Sequence, residues 1–196
     1  MQKIGIGIFG GTFDPFHNGH LALVHSFLSA GKIEELWIVP TFDPPHKDGK
    51  NYSPYRNRLE MARIATKGMD KVSVSDIEQK ITSPSYSFQT LGQFKKMFPF
   101  YDFYVCIGGD QLLNFHKWVL FDAILCMANL LVAERPGISY ASIQKEIWEK
   151  TTFIEHKPID VSSTQIRAQV KKGAIQPVKT SLDIRDYIVK NKLYLK

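Results

Sequence analysis

Short apolar runs alternate along the chain with segments of helical periodicity and with polar loops. The runs have the length and the Val, Ile and Phe content of buried strands. They lie at 4–9, 36–39, 72–74, 103–107, 130–132 and 153–155, and another strand is expected to end at Val161. Periodicity and capping signals predict helices at about 19–30, from Ser53-Pro54 to Gly68, near 86–97, near 140–150, at 162–172 and at about 182–190. This alternation indicates an α/β fold with a mainly parallel sheet and helices on both faces.

Length and composition limit the class of protein. The chain has 196 residues, which predicts a single domain, 1–196, with 162–196 as its helical C-terminal part. A hydrophobic content of 44% and a charged content of 22% exclude a disordered tail or a fibre. Cys106 and Cys126 lie in apolar runs, so we expect buried free thiols and neither a disulfide nor a zinc site.

The charge pattern narrows the partners. A formal net charge of +6 favours anionic ligands without separating nucleic acids from phosphorylated small molecules. Residues 151–196 hold nine Lys or Arg against four Asp or Glu, but at helical spacing, which is typical of a solvated face rather than of a nucleic-acid site. The apolar runs are shorter than the roughly 20 residues of a membrane helix, and the N-terminus does not resemble a signal peptide. We therefore expect a cytoplasmic protein that binds neither nucleic acid nor membrane.

The loops that follow the predicted strands carry the candidate chemistry, because ligands of a parallel sheet bind outside the carboxyl ends of its strands. The loop after the first strand reads Gly10-Gly11-Thr12-Phe13-Asp14-Pro15-Phe16-His17-Asn18-Gly19-His20. Two glycines permit a sharp turn, and the helix start that follows offers free N–H groups to an anion. His17 and His20 lie three residues apart, on one face of the first helical turn.

Other interpretations of this loop are weaker. Two histidines on a solvated turn are possible in principle, but their place after a glycine turn at a strand's carboxyl end favours a site. A metal centre lacks ligands, since only Asp14 stands near the pair, so we predict no protein-held metal. The pattern Gly5-x-Gly7-x-x-Gly10 lies inside the strand instead of after it, which argues against a dinucleotide-dependent dehydrogenase.

A second anchor lies near the other end of the chain. Ser162 is placed to cap a helix, and Ser163 and Thr164 add hydroxyl groups beside the free N–H groups of its first turn. Arg167 follows one turn later, on the same face as Ser163. Hydroxyls, N–H dipoles and a guanidinium together favour phosphate, although ordinary capping with a surface arginine would give the same residues.

The two anchors together, Gly10-Gly11-Thr12-Phe13-Asp14-Pro15-x-His17-x-Gly19-His20 and Ser162-Ser163-Thr164-x-Ile166-Arg167, resemble the nucleotidylyltransferase superfamily that carries the His-x-Gly-His motif. The resemblance implies a Rossmann-like fold and a catalytic role for His17, His20 and Arg167. It also implies ATP contacts from both anchors and from the loops after two later strands. The ATP-binding residues so implied are Gly10, Gly11, Thr12, Phe13, His17, Gly19, His20, Gly108, Asp110, Arg135, Ser162, Ser163, Thr164 and Arg167.

Further stretches resemble one branch of that superfamily, the nicotinate-nucleotide adenylyltransferases. They are Pro44-Pro45-His46-Lys47, Ser83-Pro84-Ser85-Tyr86-Ser87-x-x-Thr90-Leu91, Gly108-x-Asp110 with Lys117-Trp118, and Arg135-Pro136-Gly137. The resemblance implies mononucleotide contacts from Thr12, His46, Lys47, Ser85, Tyr86, Ser87 and Trp118. Trp118 beside Lys117 could stack on a pyridinium ring or pack in the core. The chain departs from the branch in Ser85 and Ser87 for threonines, Gly109 for alanine and Phe16 for an aliphatic residue.

The reaction that this resemblance implies joins ATP and nicotinate mononucleotide to give nicotinate adenine dinucleotide and pyrophosphate. Mg²⁺ is expected to accompany ATP, bridging its phosphates. Adenylylation of phosphopantetheine or of nicotinamide mononucleotide remains an alternative, as does an ATP-binding module without catalysis. The sequence is compatible with a homo-oligomer.

Overall fold

One parallel sheet runs through the computed structural model, which describes residues 4–44, 52–173 and 179–195. Its strands are β1 (Gly5–Gly11), β2 (Glu35–Pro40), β3 (Val72–Val74), β4 (Asp102–Gly108), β5 (Ala128–Ala133) and β6 (Thr151–Ile154). They pair in parallel in the order β3-β2-β1-β4-β5-β6. The chain thus starts in the middle of the sheet, builds one half, and returns to build the other, which is the doubly wound Rossmann-like order.

Helices connect and cover these strands. They are α1 (Asn18–Ser29), α2 (Tyr55–Ala65), α3 (Ser87–Met97), α4 (Gly109–Leu112), α5 (Phe121–Met127), α6 (Lys145–Glu149), α7 (Ser163–Lys171) and α8 (Leu182–Lys190). Short 3₁₀ turns lie at Ile77–Lys80 and Phe115–Lys117. Among the described residues, no helix combines the length and the apolar character needed to cross a bilayer.

The core consists of two layers, one on each face of the sheet. Helices α1, α2, α7 and α8 bury their apolar sides on one face, and α3, α5 and α6 bury theirs on the other. Alternation along β4 shows the division, since Cys106 belongs to the first layer while Val105 and Ile107 belong to the second. The predicted α/β class, with a parallel sheet and helices on both faces, is therefore confirmed.

Several details of the sequence prediction were wrong. Ser53 does not cap α2; Pro54 occupies the N-cap, and the Ser53 N–H donates to the carboxylate of Asp14 instead. The helix expected near 140–150 is only Lys145–Glu149, and no strand ends at Val161, because β6 ends at Ile154 and the chain is irregular from there to α7. Cys106 is buried as expected, but Cys126 is exposed.

Helix α5 was missed for a physical reason. Residues 121–133 form one apolar stretch, and α5 passes directly into β5 between Met127 and Ala128. Hydrophobicity alone cannot separate a buried helix from the buried strand that follows it when no polar turn intervenes. The turn that starts α5 is marked only by Leu120, whose φ of 53° is left-handed.

The register of the sheet brings the functional loops to one edge. Gly11 of β1 pairs with Pro40 of β2, and Gly108 of β4 pairs with Ala133 of β5. The loops after these four strands therefore leave the sheet side by side. Residues that are far apart in sequence become the walls of one cleft.

Candidate active site

A cavity of about 520 Å³ opens at this carboxyl edge. Both sequence anchors reach it, because His17 and Ser163 line the same space. The predicted residues that line it are Gly10, Gly11, Thr12, Phe13, His17, Gly19, His20, Ser85, Tyr86, Ser87, Gly108, Asp110, Trp118, Arg135 and Ser163. The other predicted residues on α7, Ser162, Thr164 and Arg167, do not line it. His46 and Lys47 lie outside the described residues.

The two histidines stack on each other and form reciprocal hydrogen bonds at the start of α1. Their rings stack with centroids 3.6 Å apart and planes inclined by 13°. The backbone N–H of His20 donates to Nδ1 of His17 at 3.3 Å, and the backbone N–H of His17 donates to Nδ1 of His20 at 3.2 Å. This reciprocal pair is a capping box built from imidazoles rather than from the usual hydroxyl and carboxylate.

Burial determines the charge of both rings, and the same hydrogen bonds determine which nitrogen carries the proton. Burial lowers the pKa of His17 to about 4. Burial, and secondarily the neighbouring His17, lowers the pKa of His20 well below its ordinary value. Each ring is therefore neutral at neutral pH, and because its Nδ1 accepts a backbone N–H, its proton resides on Nε2. The loop thus presents two N–H donors without net charge.

Glycines at two positions of this loop leave space for neighbouring rings. A Cβ on Gly11 would come within 2.8 Å of the Phe13 ring, and a Cβ on Gly19 would come within 3.1 Å of the His17 ring. The Phe13 and Phe16 rings in turn pack on His20, each with centroids 5.0 Å apart. The glycines therefore make the space in which the aromatic and imidazole rings pack, and Phe16, a departure from the resembled branch, supports His20.

A buried arginine that sequence reasoning missed holds the ends of two strands. Arg58 is 2% exposed, and its guanidinium donates to the carbonyls of Thr12 (2.9 Å), Thr41 (2.7 Å), Phe42 (3.3 Å) and Ser53 (3.1 Å). Thr12 directly follows β1 and Thr41 directly follows β2. An arginine on a helix is ordinarily predicted to be exposed. Only the backbone carbonyls that lack partners where β1 and β2 end could have indicated that Arg58 is buried.

The second anchor, residues 162–167, forms hydrogen bonds with the loop that carries the histidines. Ser162 caps α7 as predicted, accepting the Gln165 N–H at 3.2 Å. Ser163 Oγ donates to the carbonyl of Pro15 at 3.0 Å. Arg167 donates to the carbonyl of Asp14 at 2.7 Å and to Oγ1 of Thr164 at 3.3 Å. In this structure, therefore, Arg167 and Ser163 bind the loop that carries the histidines.

The wall of the cavity also contains a buried carboxylate that the sequence analysis missed. Glu78 is 5% exposed and accepts the Phe42 N–H at 2.8 Å and the Thr90 hydroxyl at 2.9 Å. Burial raises the pKa of Glu78, and these two hydrogen bonds oppose the shift. Ser85 donates its N–H to the Asp43 carbonyl at 3.0 Å and so ties the segment before α3 to the segment after β2.

Trp118 and the loop after β4 complete the walls. Trp118 is half-buried, packs on Phe115 with ring centroids 5.1 Å apart, and lines the cavity, so it has both a core face and a site face. Gly109 leaves room for Tyr140, whose hydroxyl would lie 2.1 Å from a Cβ there. That hydroxyl accepts the Arg135 N–H at 3.2 Å. The replacement of alanine by Gly109 thus permits a link between two loops of the cavity.

A doubly wound parallel sheet with neutral N–H donors at a helix start, facing a cavity at its carboxyl edge, defines a nucleotide-binding α/β protein. The sequence profile of the cytidylyltransferase-like family matches residues 8–169. A probable nicotinate-nucleotide adenylyltransferase of Clostridium tetani is 37% identical, with 92% of this chain and 90% of the relative covered. The nicotinate-nucleotide adenylyltransferase of Bacillus subtilis is 31% identical, with 99% of each chain covered.

Among solved structures, the nicotinic acid mononucleotide adenylyltransferase of Plasmodium falciparum complexed with NaAD has the same fold. It superposes with a TM-score of 0.79 at 22% identity and covers 97% of each chain. The chain belongs to the cytidylyltransferase-like family and, within it, to the nicotinate-nucleotide adenylyltransferases.

The protonation of the histidine pair is directly testable. Nitrogen-15 NMR of the imidazole rings should show His17 and His20 as neutral Nε2–H tautomers from pH 8 down to pH 5.5, with His17 becoming protonated only near pH 4. The sign follows from burial, which penalises the charged ring. A His17 ring that gains its proton near pH 6.5 would contradict the assignment.

Proposed function

We propose that this chain transfers the adenylyl group of ATP to nicotinate mononucleotide, forming nicotinate adenine dinucleotide and pyrophosphate. The observation that carries the proposal is the shared cavity. His17 and His20, whose N–H groups suit phosphate oxygens, line it, and so does the Ser85–Trp118 surface, which consists of Ser85, Tyr86, Ser87 and Trp118. Two substrates that must meet at one phosphorus atom require such a continuous space. The names of the curated relatives support this substrate pair.

The chemistry is an in-line displacement. A phosphate oxygen of the mononucleotide attacks the α-phosphorus of ATP, the new O–P bond forms, and the bond from the α-phosphorus to the bridging oxygen breaks to release pyrophosphate. The attacking oxygen is already anionic at neutral pH, so the step needs no protein base. Catalysis then consists of positioning and of stabilising the charge that spreads over the phosphoryl oxygens.

The neutral imidazoles suit that role. A ring whose Nδ1 accepts a backbone N–H keeps its orientation, and its Nε2–H is a donor that does not have to rotate to reach an oxygen. The free N–H groups at the start of α1 add a partial positive charge at the same place. His17 and His20 are therefore proposed to stabilise the triphosphate of ATP in the transition state.

The remaining ATP contacts are assigned to residues of the cavity wall and to the start of α7. ATP is proposed to contact the glycine turn at Gly10 and Gly11, with Thr12, Phe13 and Gly19 beside it, and its adenosine to lie against Gly108, Asp110 and Arg135. Ser163 lines the cavity and is proposed to bind phosphate through its backbone N–H, because its hydroxyl donates to Pro15. Ser162, Thr164 and Arg167, which adjoin Ser163 without lining the cavity, are proposed to bind the phosphate with it. A guanidinium has five N–H donors, and the hydrogen bonds of Arg167 to Asp14 and Thr164 leave others for a phosphate oxygen.

The mononucleotide is proposed to occupy the other end of the cavity. Its recognition is assigned to Thr12, Ser85, Tyr86, Ser87 and Trp118, with the indole of Trp118 on the pyridinium ring. A cationic ring over an indole gains about 0.5–2 kcal/mol. His46 and Lys47 are proposed to contribute from the segment after Pro44.

Mg²⁺ is proposed to accompany ATP. No group of three or more His, Cys, Asp or Glu side chains within residues 4–44, 52–173 and 179–195 could hold a metal ion, so the donor set suits an ion held mainly by phosphate oxygens and water. When bound, Mg²⁺ neutralises part of the charge on the phosphates.

A substrate panel tests the proposal. With ATP and Mg²⁺, pyrophosphate release should require nicotinate mononucleotide and should be at least tenfold slower with nicotinamide mononucleotide or phosphopantetheine, because the curated relatives are named for the nicotinate nucleotide. Release with phosphopantetheine alone would replace the proposed function by the rival one. Binding of ATP without pyrophosphate release from any acceptor would leave only a binding module.

Substitution of His20 tests the charge-stabilising role. His20→Ala should lower kcat by about 10²–10³, the scale for losing one preorganised donor in a water-poor site. His25→Ala is the control, since His25 is exposed on the same helix and does not line the cavity. Equal rates for the two variants would remove His20 from the mechanism.

Substitution of Trp118 tests the acceptor subsite. Trp118→Ala should raise the KM for the mononucleotide by about 2- to 30-fold, the range that loss of the cation–π contact gives, with a smaller change for ATP. Trp148→Ala is the matched control, because Trp148 is 51% exposed on α6 and outside the cavity. A larger effect on the KM for ATP would show that Trp118 contacts ATP rather than the mononucleotide, contrary to the proposal.

A further inference from the structure

The loop that carries the histidines is held mainly by the C-terminal part of the chain. The consecutive carbonyls of Asp14, Pro15 and Phe16 accept hydrogen bonds from Arg167 (2.7 Å), Ser163 (3.0 Å) and Thr180 (3.1 Å), respectively. Two residues further along, the Asn18 N–H donates to the Lys179 carbonyl at 3.0 Å. The loop thus depends on residues about 150 positions later in the sequence.

Tyr194 adds a side-chain bond to the same loop. Its hydroxyl donates to Oδ1 of Asp14 at 2.6 Å, while Oδ2 of Asp14 accepts the Ser53 N–H at 3.1 Å. Asp14 is 1% exposed, so water cannot replace a lost donor at this carboxylate without opening the loop. Burial and the adjacent Asp14 raise the pKa of Tyr194 above its ordinary value, which keeps the phenol protonated and donating at neutral pH.

The residues that follow α8 turn back toward Asp14 and so place the Tyr194 hydroxyl beside it. Lys192 and Tyr194 adopt left-handed φ angles of 52° and 65°, which disfavour side chains with a Cβ. Between them Leu193 is buried in the same core layer as α1 and α8. Strained backbone is retained where surrounding contacts require it, and here the turn anchors Leu193 in the core and places the phenol on Asp14.

We propose that Tyr194, assisted by Thr180, is a positioning residue for the phosphate site: it fixes the Asp14–Asn18 segment and so the orientation of His17 and His20. The chain of contacts is short. Asp14 lies three residues before His17, whose backbone N–H and ring form the reciprocal pair with His20. This inference rests on the proposed role of the two histidines in catalysis.

Tyr194→Phe tests the proposal because it removes one hydroxyl and keeps the ring. The variant should lower kcat about 10- to 100-fold with little change in either KM, since misplacement of a preorganised donor affects the transition state more than ground-state binding. The nitrogen-15 signals of the His17 and His20 rings should also shift or broaden. The NMR readout needs no substrate, so it stays informative if the proposed reaction is wrong.

Tyr187→Phe is the matched control. Tyr187 is another half-buried tyrosine of the C-terminal part, and its hydroxyl donates to Asn57 Oδ1 at 3.2 Å, away from the histidine loop. It should lose comparable stability in urea unfolding while keeping kcat within about twofold and the histidine signals unchanged. If Tyr194→Phe behaves like Tyr187→Phe in both readouts, the tyrosine is a stabilising residue only, and the proposal is overturned.

A second substitution covers the case in which Tyr194→Phe does not fold. Thr180→Val removes the donor to the Phe16 carbonyl and should shift the same histidine signals and lower kcat several-fold. Its control is Thr151→Val, because Thr151 makes an equivalent hydroxyl-to-carbonyl bond, to Ile147 at 2.7 Å, at the opposite edge of the sheet. Unchanged histidine signals in Thr180→Val would refute the positioning role.

Discussion

The buried guanidinium of Arg58 is the interaction on which the carboxyl edge of the sheet depends. Where β1 and β2 end, their last carbonyls lose their ladder partners, and burying them without donors would cost free energy at each one. Arg58 supplies donors to carbonyls from three segments at once. A buried cation is itself expensive, and the nearby carboxylate of Asp14 offsets that cost through its attraction to the guanidinium.

Near Arg58, the two histidines have fixed orientations but no positive charge. Burial keeps His17 and His20 without positive charge, although a positive charge would attract the phosphate groups that we propose they bind. In exchange, each ring is held by a backbone N–H and keeps one N–H with a defined orientation. Preorganised donors of this kind act on a transition state without solvent reorganisation.

The two ends of the chain are joined at the same place. Residues near positions 14–18 and residues from 163 to 194 share hydrogen bonds, and α7 and α8 lie in the same core layer as α1. The site is therefore completed only when the last helices have packed on the first.

Sequence alone determined the fold class, the places of the six strands, and the loops that reach the cavity, because hydrophobic periodicity and glycine turns are local signals; it missed α5 and placed a strand before Val161 where there is none. It also indicated His17, His20, Ser163 and Trp118, which line one cavity. Only the tertiary structure decided that Arg58 and Glu78 are buried, that Ser53 binds Asp14 instead of capping a helix, and that Arg167 holds the histidine loop. Each of these depends on which backbone groups are left without partners when distant segments meet, and no pattern within a single segment contains that information.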